Sequence, residues 1–348
     1  MKTKLFTLFF ALVVSVGTLF AESGTCGENL TWTLDNNGVL TISGTGAIPG
    51  FSWNNAAPWD SYKENISNVI IGNSVTSIGF YAFRECSKLT SVTIPNSVTS
   101  IGEYAFYQCS SLTSVSIPNG VTEIKRGTFS WCEGLTSVSI PNSVTSIESS
   151  AFNYCSSLTS ISIPNSVISI GKEAFYSCSS LTSVSIPNSV TSIGKRAFYS
   201  CEGITSLTIG NSVTSIGEYA FNGCSGLINV TIPNSVTSIE DGTFCLCNAL
   251  KSVTIPNSVT SIGQEAFKYC SNMTSVTIPN SVISIGGEAF FACTALTSVT
   301  IGNNVRSIGD KAFFACEGLT SVTVPKSATS IGNRAFDGCP NLQIRYEK

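Results

Sequence analysis

The chain has 348 residues, of which 18 are basic, 21 acidic and none histidine, for a formal net charge of −3. No basic stretch could neutralise a run of phosphates, which excludes nucleic acid as an expected partner. The lack of histidine removes the commonest general base and the imidazole metal ligand together.

The first 21 residues, MKTKLFTLFFALVVSVGTLFA, place two lysines before an apolar run and end on a small residue ahead of Glu22-Ser23. That order predicts a secretory signal peptide cut after Ala21, and with it a secreted or surface-displayed chain. A membrane anchor is the competing reading, but Leu5 to Phe20 is short for a span, so no membrane span is expected in the mature chain. Removing Lys2 and Lys4 leaves 16 basic against 21 acidic residues, a charge of −5.

Residues 22–65 do not repeat. LTWTLDNNGVLTISGTG alternates on both sides of Asn36-Asn37-Gly38 and predicts a β-hairpin. Phe51, Trp53 and Trp59 follow, and are open to two readings: an aromatic platform for sugar, or a cap over the end of what comes next. A cap is expected, because an uncapped end would expose a core.

From residue 66 to 341 one unit recurs twelve times. Its phenylalanines run from Phe83 to Phe336 at intervals of 23, with an isoleucine five before and a cysteine three after each. In the copy beginning at Leu89, Val92 and Ile94 share one strand face, Pro95-Asn96 stops pairing, and Val98 to Ile101 forms a second short extended piece. The Ala-Phe-x-x-Cys segment predicts a helical or 3₁₀ turn on the far side. A lone unit cannot bury its own apolar face, so the expectation is a solenoid in which each coil completes its neighbours.

The pattern L-x-x-V-x-I-P-N-x-V-x-x-I-x-x-x-A-F-x-x-C resembles the BspA-like leucine-rich repeat family, surface proteins of bacteria and some protists. The resemblance implies a predominantly β leucine-rich repeat solenoid with one parallel strand per repeat and a role in adhesion to matrix proteins or other cells. Only Pro95 separates Ile94 from Asn96, so Asn96 and its equivalents are expected in an exposed turn rather than a buried asparagine ladder. Residues 342–348 read as a closing strand.

No Walker loop or Gly-x-Ser-x-Gly elbow is present, and neither an enzyme nor a cofactor is expected. Twelve in-register cysteines leave three readings, disulfides, metal and a buried reduced ladder. The ladder is favoured, because every coil carries the same thiol among apolar neighbours. Cys26 and Cys245 fall outside that column, and their state stays open.

The outward positions of the first strand, Thr90, Ser91 and Thr93 in the copy just described, are serine or threonine in 30 of 33 places over eleven copies. Ile228, Asn229 and Lys251 are the exceptions and lie on adjacent units, which makes them a candidate contact spot for an extracellular protein or cell-surface ligand. Sheet propensity and solubility also favour such hydroxyls. Three functions remain open: an adhesin-like interaction protein, a passive structural element assembling through its ends, and a glycan- or ice-binding surface.

Overall fold

The computed structural model describes residues 20–347. The expected leader lies outside these residues except for Phe20 and Ala21, which open the first strand. Each 23-residue unit forms one coil of a three-sided stack, numbered here from coil 1 at Phe83 to coil 12 at Phe336.

Strands β1 (Phe20–Gly27), β2 (Leu30–Asp35) and β3 (Val39–Gly44) are antiparallel neighbours. The β2–β3 hairpin turns where the sequence predicts. Gly38 takes φ +79°, and Asp35 Oδ1 accepts the amides of Asn37 and Val39 at 2.9 and 2.8 Å. The strand β1, which adds a third member, is not marked by any alternation in the sequence.

This sheet continues into the repeats. Strand β3 pairs in parallel with β5 (Asn68–Ile71), and the short β4 (Gly46–Ala47) with β6 (Val75–Ile78). From there the ladders hold strict parallel register, as in Ser183↔Ser206 through Ile186↔Ile209. Residues one coil apart face each other, and inward Val and Ile alternate with outward hydroxyls.

The core is a set of columns. Phenylalanines from Phe83 to Phe313 are fully buried, and consecutive rings through Phe336 stack with centroids 5.0–5.6 Å apart. Near-parallel rings at that separation are offset, the arrangement their quadrupoles favour. Trp59 extends the column at its amino-terminal end, stacking 5.6 Å from Phe83 while its Nε1 donates to the Ala82 carbonyl at 2.9 Å. Phe51 packs edge-on against Trp59. Trp53 does not join them: it is 64% exposed, with the Arg84 guanidinium 3.7 Å from its ring centroid.

The far side departs from a continuous helix. In coil 1 the amides of Ala82, Arg84 and Cys86 make the expected 3₁₀-type bonds, to the carbonyls of Gly79, Tyr81 and Phe83. The alternate amides of Tyr81, Phe83 and Glu85 point instead to Glu103, Ala105 and Tyr107 of coil 2, at 3.3, 2.8 and 2.6 Å. Tyr81 and Glu85 achieve this by adopting left-handed φ of +57° and +58°, and the same two positions do so in every coil. Helix would satisfy the amides locally. The left-handed residues turn half of them toward the neighbouring coil.

Glycines set how closely coils approach. A Cβ at Gly171, Gly194 or Gly217 would stand 2.5–2.6 Å from backbone of the preceding coil. Lys125 and Glu240 occupy that position in coils 3 and 8, and there the second-strand ladder stops: it runs from 123–124 to 215–216 and restarts at 238–239. Glu148 occupies it in coil 4 without a break, its amide bonded to the Ile124 carbonyl at 2.9 Å. Between coils 7 and 8 the first-strand ladder also parts, after Ser206–Ile209. Among the described residues, this is the junction where both ladders break.

Two substitutions test this geometry by urea denaturation. Gly194→Ala forces a methyl into backbone and should cost about 1–3 kcal/mol. Ser177→Gly relieves a left-handed φ of +56° and should raise stability by about 0.5–1 kcal/mol, the strain released less the added chain entropy.

Candidate functional site: the hydroxyl sheet and its bordering trough

All 33 outward first-strand positions of coils 2–12 are exposed. Their hydroxyls bond along the stack. Thr90 Oγ1 donates to the Ser67 carbonyl at 3.0 Å, Thr113 to Thr90 at 3.2 Å and Thr136 to Thr113 at 3.0 Å, and the row continues to Thr205 on Thr182. Ile228 and Lys251 have no hydroxyl and interrupt it; the row resumes with Thr297 on Thr274 at 3.1 Å.

The structure brings three of the six candidate residues together. The Lys251 amide donates to the Ile228 carbonyl at 2.8 Å, and Asn229 Oδ1 accepts Ser252 Oγ at 2.9 Å. Ile228 is 39% exposed beside the exposed Lys251. Thr90, Ser91 and Thr93 are exposed on coil 2, six coils away, or about 29 Å at the usual strand spacing. The six residues therefore share a face without forming one site.

A second feature borders this face. Where the first strands of coils 5–9 end, two stretches of trough of about 630 and 380 Å³ meet at Asn211. Their floor is isoleucine and proline, and their walls are one asparagine and one serine or threonine per coil. Asn96 and its equivalents are exposed throughout, as the short Ile-Pro-Asn spacing predicts. Their place along a trough is what the sequence does not reveal, because its depth depends on how neighbouring coils splay.

The far side also carries half-buried stacked aromatics beside its charges. Trp131 lies 4.0 Å from Tyr154, and Tyr176 lies 4.8 Å from Tyr199. Among the described residues, no group of three or more Cys, Asp or Glu side chains is placed to hold a metal ion, and no helix is long and apolar enough to cross a membrane.

Comparison with known sequences settles what this architecture is. The profile described as BspA type leucine rich repeat region, in six copies, matches residues 61–167, 145–274 and 260–345. The chain belongs to the BspA-type leucine-rich repeat family. Among curated proteins none matches it. Among solved structures, this BspA-type chain is similar to a leucine-rich repeat protein from Bacteroides ovatus, at 27% identity over 92% of this chain and 99% of that one, with a TM-score of 0.60. It is also similar to one from Eubacterium ventriosum, at 26% identity over 91% and 94% of the two chains, with a TM-score of 0.59.

The cysteines of this BspA-type stack are all free, and all but Cys339 are buried. From Cys109 to Cys339 each thiol of the 23-residue column donates to the carbonyl of the phenylalanine 26 residues earlier, at 3.0–3.3 Å. Cysteine thus serves as a small apolar filler with one donor. Burial pushes the Cys26 and Cys245 thiols up from their ordinary 9.0 to about 11, and Cys293 to about 12. Cys109, Cys155 and Cys224 rise well above the ordinary value for the same reason.

A raised thiol pKa means that the folded state prefers the protonated form. Its stabilising contribution is complete below pH 9 and is lost as pH climbs from there through the folded-state values. Thermal midpoints should therefore stay level up to about pH 9 and fall steeply beyond it. Iodoacetamide at pH 8 should label the native chain at half-buried Cys339 before the other thirteen, and all fourteen in urea, as read by mass spectrometry.

Proposed function

We propose that the chain is an exported, adhesin-like interaction protein that docks an extracellular protein on its hydroxyl-lined sheet. In this reading residues 1–21 are the leader and residues 22–65 the cap that closes the first coil. Leucine-rich repeat proteins bind protein partners through extended faces. Here that face is long, uncharged over most of its length and free of large apolar patches, so it resists indiscriminate sticking.

The observation that carries the reading is the interruption at Ile228, Asn229 and Lys251. Serine and threonine are poor anchors at protein interfaces, whereas a half-exposed apolar group beside a flexible cation supplies both area to bury and a charge to steer approach. The spot lies on coils 8 and 9, next to the junction between coils 7 and 8 where both strand ladders part.

Binding of the purified chain to immobilised fibronectin, fibrinogen and whole cells tests this. Saturable binding to at least one is expected. Ile228→Asp and Lys251→Glu should each weaken it by about tenfold or more, equivalent to about 1.4 kcal/mol. Saturable binding indifferent to both substitutions would remove the sheet from the account.

A further inference from the structure

We infer that the trough across coils 5–9 is a binding site for an unbranched, uncharged oligosaccharide. This goes beyond protein docking on the sheet and does not rest on it. The lining contains no charged side chain in either stretch, so the trough offers nothing to an acidic or basic ligand that would repay stripping its charge of water.

What it offers is repeated. Asn165, Asn188, Asn211, Asn234 and Asn257 stand exposed at the same place on five successive coils. Each carboxamide carries two donors and an acceptor, and each neighbouring hydroxyl is donor and acceptor at once. Sugar hydroxyls also combine the two roles, so such a surface meets them in either sense. Between the polar walls runs an apolar strip. Ile163, Ile209 and Ile255 of alternate coils show an edge there, at 7, 7 and 8% exposure, against 1 and 2% for Ile186 and Ile232 between them, and suit the C–H face of a pyranose ring.

Register decides between a sugar chain and a peptide. Coils repeat at about 4.8 Å, whereas an extended peptide advances about 3.3 Å per residue and turns alternate side chains to opposite faces. A peptide laid along the trough regains the coil positions only at every second coil, three residues on, and there turns its side chain to the opposite face. An equatorially linked pyranose chain advances one ring by nearly one coil spacing, so each coil meets one ring; alternate rings are turned over, and a carboxamide that both donates and accepts meets either ring edge. The two stretches, about 630 and 380 Å³, together reach the upper end of the range for a ligand site.

Isothermal titration of the full chain with cellohexaose, laminarihexaose and mannohexaose tests the assignment with no protein partner present, so it fails or succeeds apart from docking on the sheet. Polygalacturonate and a serine-rich peptide serve as comparisons. At least one neutral hexaose should saturate the chain, with affinity rising from trimer to pentamer. Asn234→Ala should weaken it about tenfold, the loss of one or two neutral hydrogen bonds. Thr208→Trp, which fills the trough, should abolish it while leaving the thermal midpoint in place. Absence of saturation by every neutral hexaose at millimolar concentration overturns the proposal. So does wild-type affinity in Asn234→Ala, or tighter binding of polygalacturonate or the peptide.

Discussion

Backbone hydrogen bonding between coils, renewed every 23 residues, is the interaction on which the rest of this molecule depends. A coil this short cannot satisfy its own amides and still wrap a core. The two strand faces solve the problem in the usual way, by parallel pairing. On the far side the left-handed residues flanking each phenylalanine do the equivalent work, turning the amides of Tyr81, Phe83 and Glu85 onto coil 2. Non-glycine residues take this conformation at a cost. The cost is accepted because the alternative, a local helix, would leave the next coil's carbonyls without partners in the stack.

The side-chain columns follow from that register. Once equivalent residues lie directly over one another, each position repeats against itself, and only residues that tolerate their own copies survive there. Phenylalanine stacks, threonine bonds to the carbonyl of the threonine before it, and cysteine fills a narrow space while donating to the phenylalanine carbonyl beneath. Alanine would leave that carbonyl with one bond fewer. A bulkier donor would press on the ring column.

Much of this was legible in the chain itself. The 23-residue spacing of Phe83 to Phe336, the Val-x-Ile strands and the Asn36-Asn37-Gly38 hairpin all show in short patterns with one physical cause each. The misses share a different cause. Strand β1 and the pairing of β3 with β5 depend on long-range contacts, and the left-handed far side depends on where amides find acceptors in a neighbouring coil. At the site, the hydroxyl rows and their break at Ile228 and Lys251 could be read directly. The separation of Thr90 from that break follows by counting coils. The trough could not be read, because Asn188 and Asn234 look like ordinary turn residues until the walls and floor are placed around them.

The junction between coils 7 and 8 has a mechanical consequence. There the stack is joined by the ring contact of Phe221 with Phe244 and by far-side bonds such as Tyr219 to Asp241 at 2.8 Å, while both strand ladders are interrupted. A body that tethers two surfaces bears tension along its axis, and the seam with the fewest bonds yields first. Coils 1–7 and 8–12 would then separate as two folded blocks joined by a short paid-out length of chain, absorbing load before either block unravels.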